Sequence, residues 1–182
     1  MSAAEDLFYR EGIQAVGVDR LLSVSGVGRA SFYRHFAGKE ELVVAILKRY
    51  DTRWRAWLEE VVTAQGGDPL AAFDALGEQF ASPDFRGCAS VNAMVEAADP
   101  DSPAFRVAAE HKRSVIAYLD GLLAEAGHED HQRIAERFML LIDGATVTAL
   151  REQGSAAAQH ARAMAQSLLD RPREGSRGAK VG

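Results

Sequence analysis

Cysteine is almost absent from this chain: Cys88 stands alone among 182 residues. That excludes an internal disulfide framework and any site built from several thiolates, and it fits a reducing compartment. No stretch approaches the roughly 18 consecutive apolar residues that a membrane-spanning helix needs. The first residues lack the positive segment, apolar stretch and small-residue cleavage site of a secretory signal. A cytoplasmic protein with no membrane partner is therefore expected. Period-two runs of β-branched residues are missing, so there is little from which to build a sheet. Also missing are a Walker-type glycine-rich loop, a Ser/His/Asp or Cys/His grouping and a pair of catalytic carboxylates. No enzyme, cofactor or metal is expected on these grounds, and no internal repeat is visible.

What is present is an ordinary globular composition, 47% hydrophobic and 26% charged, enough for one substantial core or for a small domain joined to a larger one. Charge is unevenly spread. Residues 1–50 hold seven Lys/Arg against six Asp/Glu, a net of +1, so the remaining 132 residues carry −6 of the total of −5. Two regions of different electrostatic character suggest two tasks.

Turn residues divide the chain into helix-sized pieces. The pattern predicts helices over about 2–11, 18–25 and 29–36, stopped by Gly12, Gly26 and Gly38. A long amphipathic helix follows over 39–64, with Leu42, Val43, Ile46, Leu47, Tyr50, Trp54, Trp57, Leu58 and Val61 at spacings of three and four. Asp68-Pro69 reads as the cap and first position of a helix to about Phe80. A short helix is expected over 87–98, and Ser102-Pro103 opens a long one to about Ala126. Two more lie near 130–153 and 155–169. The expected fold is all-α, about nine helices, with a three-helix head over residues 1–45, a larger body over 46–170 and a disordered tail over 171–182 rich in Arg, Gly and Ser.

The second and third helices are joined by Ser25-Gly26-Val27-Gly28, a tight connection containing glycine, which is the sequence form of a helix-turn-helix. Such a unit lays its second helix in the DNA major groove, with residues near that helix's start reaching base edges and flanking groups holding phosphate. Arg29 can offer a fork of donors to guanine, Ser31 can donate or accept, and Ala30 permits close approach or meets a thymine methyl. Phe32 and Phe36 would face inward. Tyr33, Arg34 and His35 stay near the phosphates, and Lys39 would join a phosphate held at the start of the next helix. The other reading of these basic residues is a solvated helix face.

The segment "GIQAVGVDRLLSVSGVGRASFYRHFAGKEEL", residues 12–42, resembles the DNA-binding head of the TetR family of bacterial repressors. Gly26-Val27, Phe32-Tyr33, His35-Phe36, Lys39-Glu40 and Leu42 match the family pattern in register. The stretches from Arg86 to Lys112 and from Leu140 to Leu150 are similar to the body of one branch of that family. The resemblance implies DNA contacts from Gly28, Arg29, Ala30, Ser31, Tyr33, Arg34, His35 and Lys39. Val16 and Gly17 replace hydroxyl residues that cap the second helix in the family. Gly28 replaces the cap of the recognition helix, and Ala30 stands for a common Gly.

In the body, Trp54 and Trp57 fit either a packed core or the wall of a ligand space, together with Phe73, Phe80 and Met94. Cys88 and Asn92, four apart, share one helix face and can be a buried thiol and capping amide or pocket residues. Asp143, in an apolar run, calls for a partner, an effector group or a surface position. His128-Glu129-Asp130-His131 lacks a third convincing ligand and reads as a solvated connection. The resemblance further implies a homodimer joined through the last two helices, with Phe138, Leu141, Ala145, Met164 and Leu168 at the interface. The expected function is a ligand-responsive, sequence-specific regulator of transcription, a repressor released from a palindromic operator in double-stranded DNA by a small apolar or amphipathic effector. The alternative is a small-molecule-binding helical protein with a weakened DNA-binding head.

Overall fold

The computed structural model of the protein describes residues 2–170; the tail expected over 171–182 lies outside the described residues. Among the described residues the chain forms α1 (Ser2–Glu11), α2 (Val18–Ser25), α3 (Arg29–His35), α4 (Lys39–Ala64), α5 (Ala71–Phe80), α6 (Ala89–Ala97), α7 (Pro103–Glu125), α8 (His131–Glu152) and α9 (Ala156–Leu169), with no strand. The all-α expectation holds. None of these helices is long and apolar enough to cross a membrane.

Local chemistry sets most of the boundaries. Ser102 Oγ accepts the N–H of Phe105 at 3.2 Å with Pro103 in the first turn, as its sequence signal predicted. The start of α5 differs. Asp68 Oδ1 accepts the Leu70 N–H at 2.9 Å and Asp68 C=O accepts from Ala71 at 3.0 Å, so the cap holds a tight preliminary turn. The α-helix itself begins at Ala71, a few residues later than Pro69 suggested.

Two buried clusters organise the molecule. One joins α4's second half to α5, α7, α8 and α9 and contains Leu58, Val62, Phe73, Leu119, Leu123 and Phe138. Phe73 and Phe138 meet edge to face with ring centroids 5.2 Å apart. The other gathers Leu7, Phe8, Val16, Leu21, Phe32, Leu42, Val43, Ile46 and Leu47, and it also takes Ala93 from α6 and Ala104 and Ala108 from α7. The core under the first three helices is thus completed by residues far along the chain. Helix α4 contributes to both clusters, its leading half to one and its trailing half to the other.

Candidate functional site

Helix α2 ends at Gly26 in the left-handed region, φ +66°, where a side chain would be strained. Ser25 Oγ donates to the Leu21 carbonyl at 2.7 Å and accepts from the Val27 N–H at 3.4 Å, fixing the reversal. Helix α3 follows. Its Phe32 points inward, 6% exposed, with Phe36 5.8 Å away between ring centroids. That anchor turns the opposite face outward: Arg29, Ala30, Tyr33, Arg34 and His35 are exposed and Ser31 is half-buried. Tyr33 lies edge-on to Phe32 at 5.1 Å yet is 48% exposed. Val24 and Val27, 43% and 42% exposed, flank this face and were missed in the sequence. Valine next to a predicted turn reads as core, and only the rotation of α2 shows otherwise.

Helices α2, α3 and α4 each start from a glycine, Gly17, Gly28 and Gly38, with no side-chain cap bond. Their first N–H groups are left for an external acceptor such as phosphate. Val16, expected at the cap of α2, is instead fully buried in the head-side core, and Gly17 alone occupies the cap. A Cβ on Gly17 or Gly28 would meet nothing within 4 Å, so space does not require glycine at either. Its cost against Ser or Thr is about a few tenths of a kcal/mol per cap.

Arg29 pairs with Asp19 of α2, both side chains mostly exposed. Surface pairs of this kind contribute about 0–1 kcal/mol, so the guanidinium can leave Asp19 at little cost. Arg34 donates to Ser31 Oγ at 3.3 Å. Lys39, expected at a phosphate, donates from its ammonium to the Ile13 carbonyl at 3.0 Å and to the Val16 carbonyl at 3.2 Å. It ties α4 to the loop before α2 and keeps one of three N–H donors for another acceptor.

The residues expected around a ligand are not brought into one space. Trp54, Phe80 and Cys88 line a void of about 20 Å³ inside the body, room for about one water. Phe73 is 1% exposed and packed on Phe138. Trp57 packs against the body core beside Trp54, and Met94 packs on the other cluster. Asp143 finds the partner its apolar surroundings demanded: Lys112 Nζ lies 2.5 Å from its Oδ1. Only Asn92 borders the large cavity of about 300 Å³, which lies where α1 and α4 face the segment from α5 to α6. Its amide donates to the Arg86 carbonyl at 3.0 Å. His131, from the dismissed metal motif, pairs with Asp120 of α7.

Polar ties join the head to the body around that cavity. Tyr9 Oη accepts the Arg86 N–H at 2.8 Å and donates to the Gly87 carbonyl at 3.0 Å. Burial pushes the Tyr9 phenol up. Gln14 N–H donates to Glu96 Oε2 at 2.7 Å, and its amide donates to the Glu96 carbonyl at 3.2 Å. Midway along α4, Asp51 Oδ1 lies 2.8 Å from Nδ1 of His111 on α7, a histidine only 4% exposed with the Trp54 ring 5.2 Å away. Arg55 grips Asp51 through two bonds, 2.9 and 2.8 Å, and holds its carboxyl below the usual range. Burial pulls the His111 imidazole down, against the opposing pull of Asp51.

The last two helices expose only part of the face expected, Met164 among it. Phe138 and Ala145, placed at the interface from sequence, are 0% and 7% exposed and belong to the protomer's own core. One step around α8, Leu140 and Val147 are 72% and 60% exposed with exposed Gly144 between them, and Met164 of α9 is 59% exposed. Leu141 and Leu168 are half-buried. The run Phe138-Met139-Leu140-Leu141-Ile142 is apolar all round, so periodicity could not tell its inner stripe from its outer one.

Residues 1–46 match the family of bacterial regulatory proteins described as the tetR family. The transcriptional repressor NemR of Escherichia coli is 29% identical over 136 residues, 72% of this chain and 68% of NemR. The reduced form of E. coli NemR superposes with a TM-score of 0.78 at 24% identity, over 91% of this chain and 92% of that one, a likeness of fold. A TetR-family transcriptional regulator from Streptomyces coelicolor superposes with a TM-score of 0.86 at 30% identity, covering 92% of this chain and 85% of the other. On the helix-turn-helix with its exposed α3 face, the order of nine helices among the described residues and this likeness over 92% of the chain, the protein belongs to the TetR family of bacterial transcriptional regulators.

Proposed function

We propose that the protein is a homodimeric, ligand-responsive repressor that reads a palindromic operator in double-stranded DNA with α3. The observation that carries this reading is the outward face of α3, where Arg29, Ala30, Tyr33 and Arg34 stand free of the core while Phe32 is buried beneath them. Arg29 and Ser31 read base edges. Tyr33, Arg34, His35 and the glycine-started N-termini of α3 and α4 hold phosphates, and Gly28 and Ala30 let the backbone come close. The exposed stripe of Leu140, Gly144, Val147 and Met164 is the surface that a second copy covers, with Leu141 and Leu168 at its margin. A twofold dimer then presents its two α3 helices to half-sites roughly 34–36 Å apart.

A small apolar or amphipathic effector releases the DNA by binding better to the head spacing that does not fit the operator; without that difference in affinity it could switch nothing. Helix α4 is the element able to carry the signal, because it packs in both cores.

If each protomer neutralises about four phosphates, log K against log salt falls with a slope near −7. Fluorescence anisotropy on a duplex, run beside sedimentation of the free protein, tests both halves of the reading. The wild type should sediment as a dimer with that slope. Val147→Glu should give a folded monomer with about half the slope. A monomeric wild type, or a Val147→Glu protein that stays dimeric, would contradict the assigned interface.

A further inference from the structure

The cavity of about 300 Å³ between α1, α4 and the segment joining α5 to α6 is the largest described space in the protomer, and it reaches the size at which pockets take small organic ligands. Phe8, Ile46, Leu47 and Phe85 give it apolar walls. Its charged groups already have a partner or open solvent. Glu5 and Arg53 pair with each other, Glu96 accepts from the Gln14 N–H, and Asp6 and Asp84 are exposed. No charged group is left inside to hold an ion, and an anion would also meet four carboxylates.

Two neutral polar side chains remain. Tyr50 of α4 and Gln79 of α5 line both this cavity and the small void of about 20 Å³ beside it, so they belong to the wall between the two spaces. The Tyr50 ring packs on the His111 ring, 5.7 Å away between centroids, and burial pushes its phenol well up. Its hydroxyl makes no hydrogen bond within the described chain. The ionisable groups around that oxygen are Cys88, Tyr9, Glu5 and Arg53, and the last three border the large cavity, so the oxygen lies on the cavity side of its ring. It is also reachable: among the described residues the side-chain oxygen that is sealed from solvent without a partner is Glu5 Oε2, not the Tyr50 hydroxyl. The Gln79 amide has no hydrogen bond of its own either. A purely apolar occupant would displace water from both groups and return no bond, which is costly. A carbonyl oxygen supplies the acceptor that both donors lack.

We propose that this head–body cavity binds a neutral, mostly apolar molecule bearing a carbonyl group, whose oxygen accepts from the Tyr50 hydroxyl with the Gln79 amide as a second donor. The regulatory meaning of the site rests on the reading of the protein as a ligand-responsive repressor. The binding itself does not. An occupant would touch α1, α4 and the α5–α6 segment at once, the same elements that Tyr9 and Arg53 tie together.

The test is equilibrium dialysis of the full chain, without DNA, with three probes built on one naphthalene body: 2-acetylnaphthalene, 2-isopropenylnaphthalene and 2-naphthoate. The second replaces the carbonyl oxygen of the first by a methylene and keeps its shape. Since the alkene is the more poorly hydrated of the two, the change each variant makes is compared rather than the raw affinities. Tyr50→Phe, which keeps the ring against His111, should weaken the ketone by about five- to tenfold and leave the alkene within about twofold. Gln79→Met should weaken the ketone by about threefold and again spare the alkene. The naphthoate should bind at least about tenfold more weakly than the ketone. Ala89→Phe, which fills the cavity from the start of α6, should block all three probes. Melting curves of each variant keep loss of binding apart from loss of fold. No saturable binding of the ketone, an equal loss of ketone and alkene in Tyr50→Phe, naphthoate binding as tight as the ketone's, or ketone binding that survives Ala89→Phe in folded protein would overturn the proposal. Adding the ketone to the DNA complex separates the two levels: binding without any change in DNA affinity would leave the site standing and remove its regulatory role.

Discussion

Phe32 and Phe138 are both buried phenylalanines, but they anchor cores of different kinds. Phe138 sits in a cluster drawn from α4, α5, α7, α8 and α9, with Phe73 edge-on against it and no exposure. Phe32 sits under a seven-residue helix, in a cluster that has to borrow Ala93, Ala104 and Ala108 from the body. The body cluster is drawn from α4, α5, α7, α8 and α9 alone, whereas the head-side cluster is completed by α6 and α7. This is the arrangement a signalling head requires, since its orientation is set by contacts that a ligand can alter.

The largest effect expected from this comparison is in the body. Phe138→Ala should destabilise the protein by about 3–5 kcal/mol, read from denaturant midpoints, because a rigid cluster cannot close over the cavity. A cost as small as that of a surface substitution would show that the body core is looser than described. A smaller effect is expected at the junction. Tyr9→Phe removes the hydroxyl that joins α1 to the backbone of Arg86 and Gly87 and should cost about 1–2 kcal/mol. Amide exchange should speed up selectively in α1 and near residues 84–87; uniform acceleration would mean that head and body open as one unit.

The weakest lever is pH. Burial keeps the His111 imidazole below its ordinary value, against the pull of Asp51, so the native protein takes up that proton less readily than the unfolded chain. The unfolded chain takes up a proton as pH falls through about 6.5, and the native state lags behind. Stability linked to His111 is therefore full above that pH and lost below it. The Asp51 carboxyl, held low chiefly by Arg55, adds a loss only in the more acidic range where carboxylates titrate. Melting temperatures should fall between pH 7.5 and 5.5, and His111→Gln, which can still bond Asp51, should flatten that fall. An unchanged slope would place the responsible group elsewhere.

Much of the fold was legible because its boundaries are written in local chemistry. Gly26, Ser102-Pro103 and the three-and-four spacing of α4 marked their elements correctly, and the start of α5 slipped only because the Asp68 cap holds a turn first. The outward face of α3 was legible for the same reason, since Phe32 and Phe36 identify the inner side. Residues whose role depends on long-range placement were not. The bonds of Lys39 to Ile13 and Val16 carry no signal in the sequence, because they come from a loop brought beside it only in three dimensions. Phe138 and Leu140 are both apolar residues of one run, and only packing against Phe73 decides which of them points outward. The large cavity had even less signal: its walls come from α1, α4, α5 and α6, and no stretch of sequence contains it.

If the exposed face of α3 reads a specific twofold DNA site, selection of the purified protein against random duplex DNA at fixed salt should enrich one palindromic sequence with half-sites about one helical turn apart. A Tyr33→Ala protein that melts like the wild type should lose that enrichment. No enrichment by folded wild-type protein, or the same palindrome enriched equally by Tyr33→Ala, would rule out reading by this face.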